Sequence, residues 1–179
     1  GLREEAGVLR FAPDLDRAAE WIEDQVCLAA EMAGQGTLDD SLQAIVPGEA
    51  TTRLIGYLAR REIPAGAYLI HQGDAPDLLY FIESGQVTAQ LERPGQAPVR
   101  LETMRGGRTV GELGFYLGTQ RSAAVIAEQP AVVYALTQAE LARIERDDPA
   151  AANACHRVIV HLLGERVLHL MRAVEALQR

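Results

Sequence analysis

The sequence has no lysine: all 17 of its basic residues are arginine, against 25 aspartates and glutamates, and its formal net charge is −8. Coding bias in a GC-rich genome accounts for the missing lysine. The acidic balance argues against nucleic acid as a partner, because a phosphate backbone demands a basic face. A local basic pocket within an acidic domain is still allowed.

Cysteines are few, and long apolar runs are missing. Cys27 and Cys155 are the two cysteines, and their separation fits neither a metal site nor a redox pair, so we expect free thiols in the cytoplasm. The apolar runs are far too short to span a bilayer and no signal peptide opens the chain, so we expect no direct membrane insertion. Because the sequence begins with Gly1 rather than methionine, we expect it to be part of a longer protein.

Patterns typical of enzymes are also missing. No histidine or cysteine has the neighbours of a nucleophilic triad, and neither a P-loop nor a dinucleotide-binding fingerprint occurs. His156, His161 and His169 follow one another at spacings of five and eight, not at the i, i+4 spacing of a helical zinc site. We therefore expect no catalytic residue, no metal and no cofactor.

What is present divides the chain into an extension, residues 1–47, and a domain, residues 48–179. In the extension we expect a short strand at residues 7–11, a helix from about Asp14 and a loop at residues 34–40. Two helices are expected to end the domain, a short one and a long one.

The domain is expected to open with a helix at residues 49–60 and then to change to short runs of β-forming residues. These runs are 68–71, 78–83, 86–91, 99–103, 122–127 and 132–136. Many short strands at close, regular spacing indicate a sandwich, roll or barrel. After them, Thr137 and Glu140 predict a capping box for the short helix, and Asp148 is expected to cap the long helix, with Pro149 as its first residue.

One segment, residues 110–127, carries the chemistry. Gly111 permits close approach of its backbone to a ligand, and the first N–H groups of a short helix at Glu112 favour an anion. Arg121 supplies a guanidinium fork that suits two phosphate oxygens, whereas Glu112 suits a sugar hydroxyl. The segment therefore predicts a site for an anion joined to a polyol, such as a sugar phosphate or a nucleotide.

This segment resembles the phosphate-binding cassette of cyclic-nucleotide-binding domains of the catabolite activator and protein kinase A regulatory-subunit type. It carries Gly-Glu-Leu-Gly at residues 111–114 and Gln-Arg-Ser-Ala-Ala at residues 120–124. Upstream, Ile-Pro-Ala-Gly at residues 63–66 and Ile-His-Gln-Gly-Asp at residues 70–74 also match the family. The resemblance, which covers roughly residues 49–179, implies an α+β fold: an eight-stranded antiparallel β-roll, jelly-roll-like, with flanking N- and C-terminal helices.

The resemblance implies a role for each matching residue, with cAMP or cGMP as the ligand. Arg121 would pair with the cyclic phosphate, and Glu112 would accept a hydrogen bond from the ribose 2′-hydroxyl. The other implied contacts are Gly111 and the backbone of Leu113 to the sugar, Ser122 and Ala123 to the phosphate, and Val87, Ala89 and Leu101 to the apolar wall behind the base.

Two positions depart from the family pattern, and the lid over the base is not identified. Gln120 stands where the family usually has proline, and Ala124 where it often has threonine. No aromatic residue follows Tyr134, so a lid from the last helix would be aliphatic or guanidinium. The candidates for it are Leu163, Arg166 and Leu170.

The extension carries a second resemblance. Residues 7–30, with Ala-Glu-Trp-Ile-Glu-Asp at residues 19–24, resemble the last strand and helix of the STAS domain of sulphate-permease-type anion transporters. This implies an attached STAS domain or transporter, and a place at the cytoplasmic face of the inner membrane. The alternative is an extra amphipathic helix that packs on the roll.

Two functions stay open. In the first, the domain is a regulatory sensor: a cyclic nucleotide binds, the C-terminal helices move toward the roll, and an attached transporter responds. In the second, the domain binds no ligand, Arg121 pairs with Glu112 in a closed site, and the long helix mediates interaction, for example in a homodimer. A transcription factor is not expected, because the sequence ends at Arg179 without a helix-turn-helix.

Overall fold

The computed structural model of the chain describes residues 36–177. Its strands are β1 (Ala59–Ile63), β2 (Tyr68–Ile70), β3 (Leu78–Ser84), β4 (Val87–Leu91), β5 (Val99–Met104), β6 (Thr109–Val110), β7 (Ala124–Ala127) and β8 (Ala131–Thr137). Its helices are α1 (Leu38–Ile45), α2 (Glu49–Tyr57), α3 (Glu112–Leu117), α4 (Gln138–Asp147) and α5 (Pro149–Leu177). The strand and helix expected at residues 7–30 lie outside the described residues.

The eight strands form two four-stranded sheets, in the orders β1-β8-β3-β6 and β2-β7-β4-β5. Every strand pair is antiparallel. The predicted α+β fold with eight antiparallel strands is therefore confirmed. The segment that joins β6 to β7 leaves an edge of the first sheet and enters the interior of the second, so it bridges the two sheets.

Two apolar clusters hold the molecule together. One fills the roll between the sheets, and Ile82, Val87 and Val133 are fully buried in it. The other packs α1, α2, α4 and the first half of α5 against β3 and β8. Burial of apolar side chains supplies most of the stabilisation of such a domain, so the helices are part of its core rather than appendages.

Helix α1 is not among the helices that the sequence predicts. Thr37 and Asp40 form a capping box: the Thr37 hydroxyl accepts from the Asp40 backbone N–H, and an Asp40 carboxylate oxygen accepts from the Thr37 backbone N–H at 2.8 Å. Leu38 and Leu42 then lie in the helical cluster, each 1% exposed. The loop expected at residues 34–40 is therefore wrong at residues 38–40, where the cap and this burial determine a helix.

The helix expected at residues 49–60 is shorter than predicted. It ends at Tyr57, and β1 begins at Ala59, which lies opposite Ala135 of β8. Pairing with β8 overrides the helical pattern at residues 59 and 60, because each backbone group there gains a partner across the sheet.

The long helix begins as expected, with Pro149 as its first residue and an Asp148 carboxylate oxygen accepting from the Ala151 backbone N–H at 3.1 Å. Half of the residues in its proximal half (residues 149–162) are buried, whereas its distal half (residues 163–177) is mostly exposed. Among the described residues, no helix has both the length and the apolar character needed to span a membrane.

Candidate functional site

A cavity of about 180 Å³ lies beside the segment that bridges the two sheets. Its polar lining comes from Glu102, Glu112, Arg121, Ser122 and Arg166. Its apolar lining includes Ile70, Ala89, Leu101, Met104, Val110 and Val125. The segment Gly111–Gly114 and Ala123 complete the lining. The combination of one apolar wall with a few convergent charged groups is typical of a small-molecule site.

Gly111 allows the segment to turn at the mouth of this cavity. Its φ is +84°, in the left-handed region, and it caps the N-terminus of α3. A Cβ there would lie 2.8 Å from Ile70 Cδ1 and 3.0 Å from Arg121 Nη1. Both the backbone conformation and the close approach of the guanidinium therefore require glycine.

Arg121 is 5% exposed and held by backbone carbonyls. Its Nη1 donates to the Gly111 carbonyl at 2.7 Å, and its Nη2 donates to the Leu78 carbonyl. Burial lowers the pKa of Arg121 from its usual value, and the nearby Asp77 carboxylate, 3.8 Å from Nη2, opposes that shift. These two hydrogen bonds use two of five N–H donors, so the guanidinium keeps donors for an anion in the cavity.

The backbone of Arg121 is fixed as well. Its N–H donates to the Asp74 carbonyl at 3.0 Å, and its carbonyl accepts from the Gly73 N–H at 2.9 Å. The turn at residues 72–74, which belongs to the motif recognised in the sequence, therefore positions Arg121 directly.

Glu112 is 2% exposed, and its partner is Arg166 of α5. Arg166 Nη1 donates to Glu112 Oε1, while Glu112 Oε2 is buried and has no hydrogen-bond partner among the described residues. The expected alternative pairing of Arg121 with Glu112 does not occur. A buried carboxylate oxygen without a donor is costly, which makes Oε2 the natural acceptor for a donor from a ligand.

Arg166 uses the rest of its guanidinium to hold the edge of the cavity. Its Nη2 donates to the Thr109 carbonyl at 3.1 Å, and its Nε lies 3.2 Å from a Glu102 carboxylate oxygen. One side chain thereby joins α5 to β5, β6 and α3. The sequence named Arg166 only as one of three lid candidates, and it gave no signal for Glu102.

A second network joins α3 to the C-terminal helices. The Tyr116 hydroxyl lies 2.9 Å from His156 Nδ1, and His156 Nε2 lies 3.3 Å from a Glu145 carboxylate oxygen.

Burial raises the pKa of Cys155 to about 12. In the part of the chain that the structure describes, no group of three or more histidine, cysteine or acidic side chains is placed to hold a metal ion.

The structure brings most of the expected site residues to one cavity. Those that line it are Gly111, Glu112, Leu113, Arg121, Ser122, Ala123, Ala89 and Leu101. Val87 is fully buried in the apolar cluster of the roll, and Ala89, two residues along the same strand, lines the cavity in its place. The other two lid candidates, Leu163 and Leu170, are not among the lining residues; Leu170 is 57% exposed.

Comparison with known proteins identifies relatives of the roll. Residues 60–148 match the family described as "Cyclic nucleotide-binding domain". The cAMP-dependent protein kinase regulatory subunit of Blastocladiella emersonii is 29% identical over 96 residues, which is 54% of this chain and 24% of that protein. A cyclic nucleotide-binding domain from Methylobacillus flagellatus KT has the same fold, with a TM-score of 0.64 at 22% identity, over 75% of this chain and 83% of that one.

One similarity extends further along the chain. Glutaminase 1 of Bradyrhizobium diazoefficiens is 29% identical over 175 residues, which is 93% of this chain. The chain spans only 28% of that protein's length. The shared region therefore includes residues on both sides of the matched family segment, 60–148.

Proposed function

Because residues 60–148 belong to the cyclic nucleotide-binding domain family, we propose that the cavity binds cAMP or cGMP and that the domain is regulatory rather than catalytic. The observation that supports this proposal is the presence of two buried charged groups, Arg121 and Glu112, on one short segment. Arg121 offers remaining donors to an anion, and nine residues earlier Glu112 holds a buried oxygen without a donor. An anion joined to a hydroxyl-bearing sugar matches both.

Each part of a cyclic nucleotide has a counterpart in the cavity. The phosphate would take the free donors of Arg121 together with the exposed Ser122 and the backbone of Ala123. The ribose hydroxyl would donate to Glu112. The base would lie on the apolar wall that includes Ala89 and Leu101, which gives contact area without selecting adenine over guanine.

Calorimetric titration with cAMP and cGMP tests the proposal. We expect binding by the wild-type chain and a loss of about tenfold to a hundredfold in affinity for Arg121→Lys, which keeps the charge but loses the planar fork. Arg60→Gln, which removes an exposed arginine from β1, is the matched control and should bind like the wild type. Absence of binding by a folded wild-type chain would contradict the proposal.

The activity that the domain regulates is a separate proposal. The sequence resemblance predicts an attached STAS domain or anion transporter, whereas the similarity to Glutaminase 1 covers 93% of this chain, well beyond the roll. We infer an attached glutamine-hydrolysing domain in the longer protein. Glutamine hydrolysis that responds to the nucleotide would support it. If the longer protein shows no glutamine hydrolysis but does show nucleotide-dependent anion transport, the prediction of an attached transporter replaces the glutaminase proposal. The cytoplasmic location of the domain also stays a prediction.

The exposed apolar residues of α5, which begin at Val160 in its proximal half and continue through its distal half, support a second function, dimerisation. Val160, Val167 and Val174 repeat every seven residues, with Leu163 and Leu170 at the intervening d positions. β-Branched residues at a with leucine at d favour a parallel two-stranded coiled coil. Sedimentation equilibrium should show a dimer that Leu170→Glu disrupts, and Leu170→Met should preserve it. A monomer at high concentration, with and without nucleotide, would exclude this interface.

A further inference from the structure

The residues that line the cavity cover its mouth incompletely. Two of its apolar lining residues, Leu101 and Leu113, are 57% and 48% exposed. Of the described residues of α5, Arg166 alone lines the cavity. A base on the apolar wall would therefore keep one face in water, with its apolar area unburied, unless a further apolar group covers it.

The exposed side of α5 carries a heptad pattern, whose a and d positions together we call the seam. The a positions are Asn153, Val160, Val167 and Val174, and the d positions are His156, Leu163, Leu170 and Leu177. One asparagine at a, with valine at the other a positions and leucine at most d positions, favours a parallel two-stranded coil in register. The pattern therefore identifies a second copy of this chain as the partner of the seam.

The same heptads place a residue of that second copy beside the cavity. Arg166 is a g residue, and Met171 is the e residue of the next heptad. In a parallel coil, the g residues of one helix lie beside the e residues of its partner. Met171 lies five residues after Arg166, about 140° around the helix, so it points away from the cavity of its own subunit. Met171 of the partner subunit instead lies next to Arg166.

We propose that Met171 of the partner subunit covers the base, so that the nucleotide site is complete only in the dimer. The inference rests on the proposed nucleotide binding and dimerisation. Methionine is flexible and its polarisable thioether packs well on aromatic rings, so it can cover either purine. In the dimer Leu163 and Leu170, the aliphatic lid candidates, are occupied in the seam. Because one contact serves both events, nucleotide and second subunit strengthen each other's binding by the same factor.

Calorimetric titration of two variants tests the contact. Met171→Ser removes the cover, and we expect the affinity for cAMP or cGMP to fall by about fivefold to tenfold. The dimer should persist, because e residues flank the seam rather than fill it. Leu168→Ser, which removes an exposed leucine at a b position outside the seam, is the matched control and should bind like the wild type. Equal affinities of the two dimeric variants would overturn the inference.

Mixed dimers show which subunit supplies the methionine. In a dimer of one Met171→Ser chain with one Arg121→Lys chain, the intact phosphate site of the first chain receives Met171 from the second. After subunit exchange, we expect sites of wild-type affinity, which neither variant has alone. If mixed dimers form and no such site appears, Met171 acts within its own subunit and the inference is wrong.

The wild-type chain covers the case in which a variant fails to fold or to dimerise. Saturating nucleotide should lower the dissociation constant of the dimer in sedimentation equilibrium by about fivefold or more. An unchanged constant, with binding confirmed by calorimetry, would overturn the inference and leave the proposed nucleotide binding intact. A wild-type dimer that binds no nucleotide would remove the proposed nucleotide binding, and a wild-type monomer would remove the interface; either result also removes the inference.

Discussion

The two halves of α5 are both rich in apolar residues but lie in different surroundings. In the proximal half, Cys155, Val158 and Ile159 are at most 1% exposed within the helical cluster. In the distal half, Val167 and Leu170 are 55% and 57% exposed. One continuous helix therefore contains a core element and an apolar surface.

The contrast shows that apolar content alone does not determine burial; the partner surface does. The proximal half packs on α1, α2 and α4, whereas the distal half extends past them, and Arg166 lies near the junction. Contiguous exposed apolar residues mark an interaction site in a soluble protein. The proximal half therefore stabilises the domain, whereas the distal half contributes little to its core.

The largest expected difference between the halves is in thiol reactivity. Burial raises the pKa of Cys155 to about 12, against about 8.5 for an exposed cysteine, so its thiolate fraction at pH 8 falls by roughly a thousandfold or more. In a Cys27→Ser background, we expect Cys155 to resist a thiol reagent that modifies an introduced Val167→Cys rapidly. Mass spectrometry of the peptides measures both rates. Similar rates would contradict the burial difference.

Truncation of an apolar side chain should show the next largest contrast. Ile159 is 1% exposed, so Ile159→Ala removes buried methylenes and leaves a cavity, at a cost of about 2–5 kcal/mol in the free energy of unfolding. Val167→Ala in the distal half should cost no more than about 0.5 kcal/mol in a monomer. Urea denaturation at low protein concentration measures both. Equal costs would mean that the distal half is also packed.

The sequence predicted six of the eight strands and the start of α5 correctly because these depend on local signals. Turn glycines separate the strands, and the Asp148-Pro149 pair defines where the helix begins. The prediction from sequence was wrong at residues 38–40 and 59–60, where burial in the helical cluster and pairing with β8, respectively, determine the conformation. Such contacts join residues far apart in the chain, so local patterns do not contain them.

The site was predictable to the extent that it lies on one segment. Gly111, Glu112 and Arg121 are adjacent to the cavity as the motif indicates. The partner of Glu112 was not predictable, because Arg166 is 54 residues away and reaches the carboxylate only through the docking of α5. The place of Glu102 in the cavity was not predictable for the same reason, because Glu102 belongs to a strand without a motif of its own.

The smallest expected effect concerns the first turn of the proximal half. Asp148 accepts from Arg53 Nε at 2.7 Å and from the Ala151 N–H at 3.1 Å, and these hydrogen bonds, Arg53 first, lower the pKa of Asp148. A carboxylate with a lower pKa in the folded state stabilises the fold above its usual pKa of about 4. That stabilisation is lost as the pH falls through the folded-state pKa.

Replacement of Asp148 by asparagine isolates this charge, because asparagine also caps helices well. We expect Asp148→Asn to lower the melting temperature at pH 7 by no more than about 3 °C, and the difference from the wild type to shrink progressively as the pH falls below about 4. Hydrogen exchange should quicken at the first turn of α5 and stay unchanged in the distal half. A difference that persists at low pH would assign the effect to the cap rather than to the charge, and faster exchange in residues 163–177 would show that the two halves of the helix are not independent.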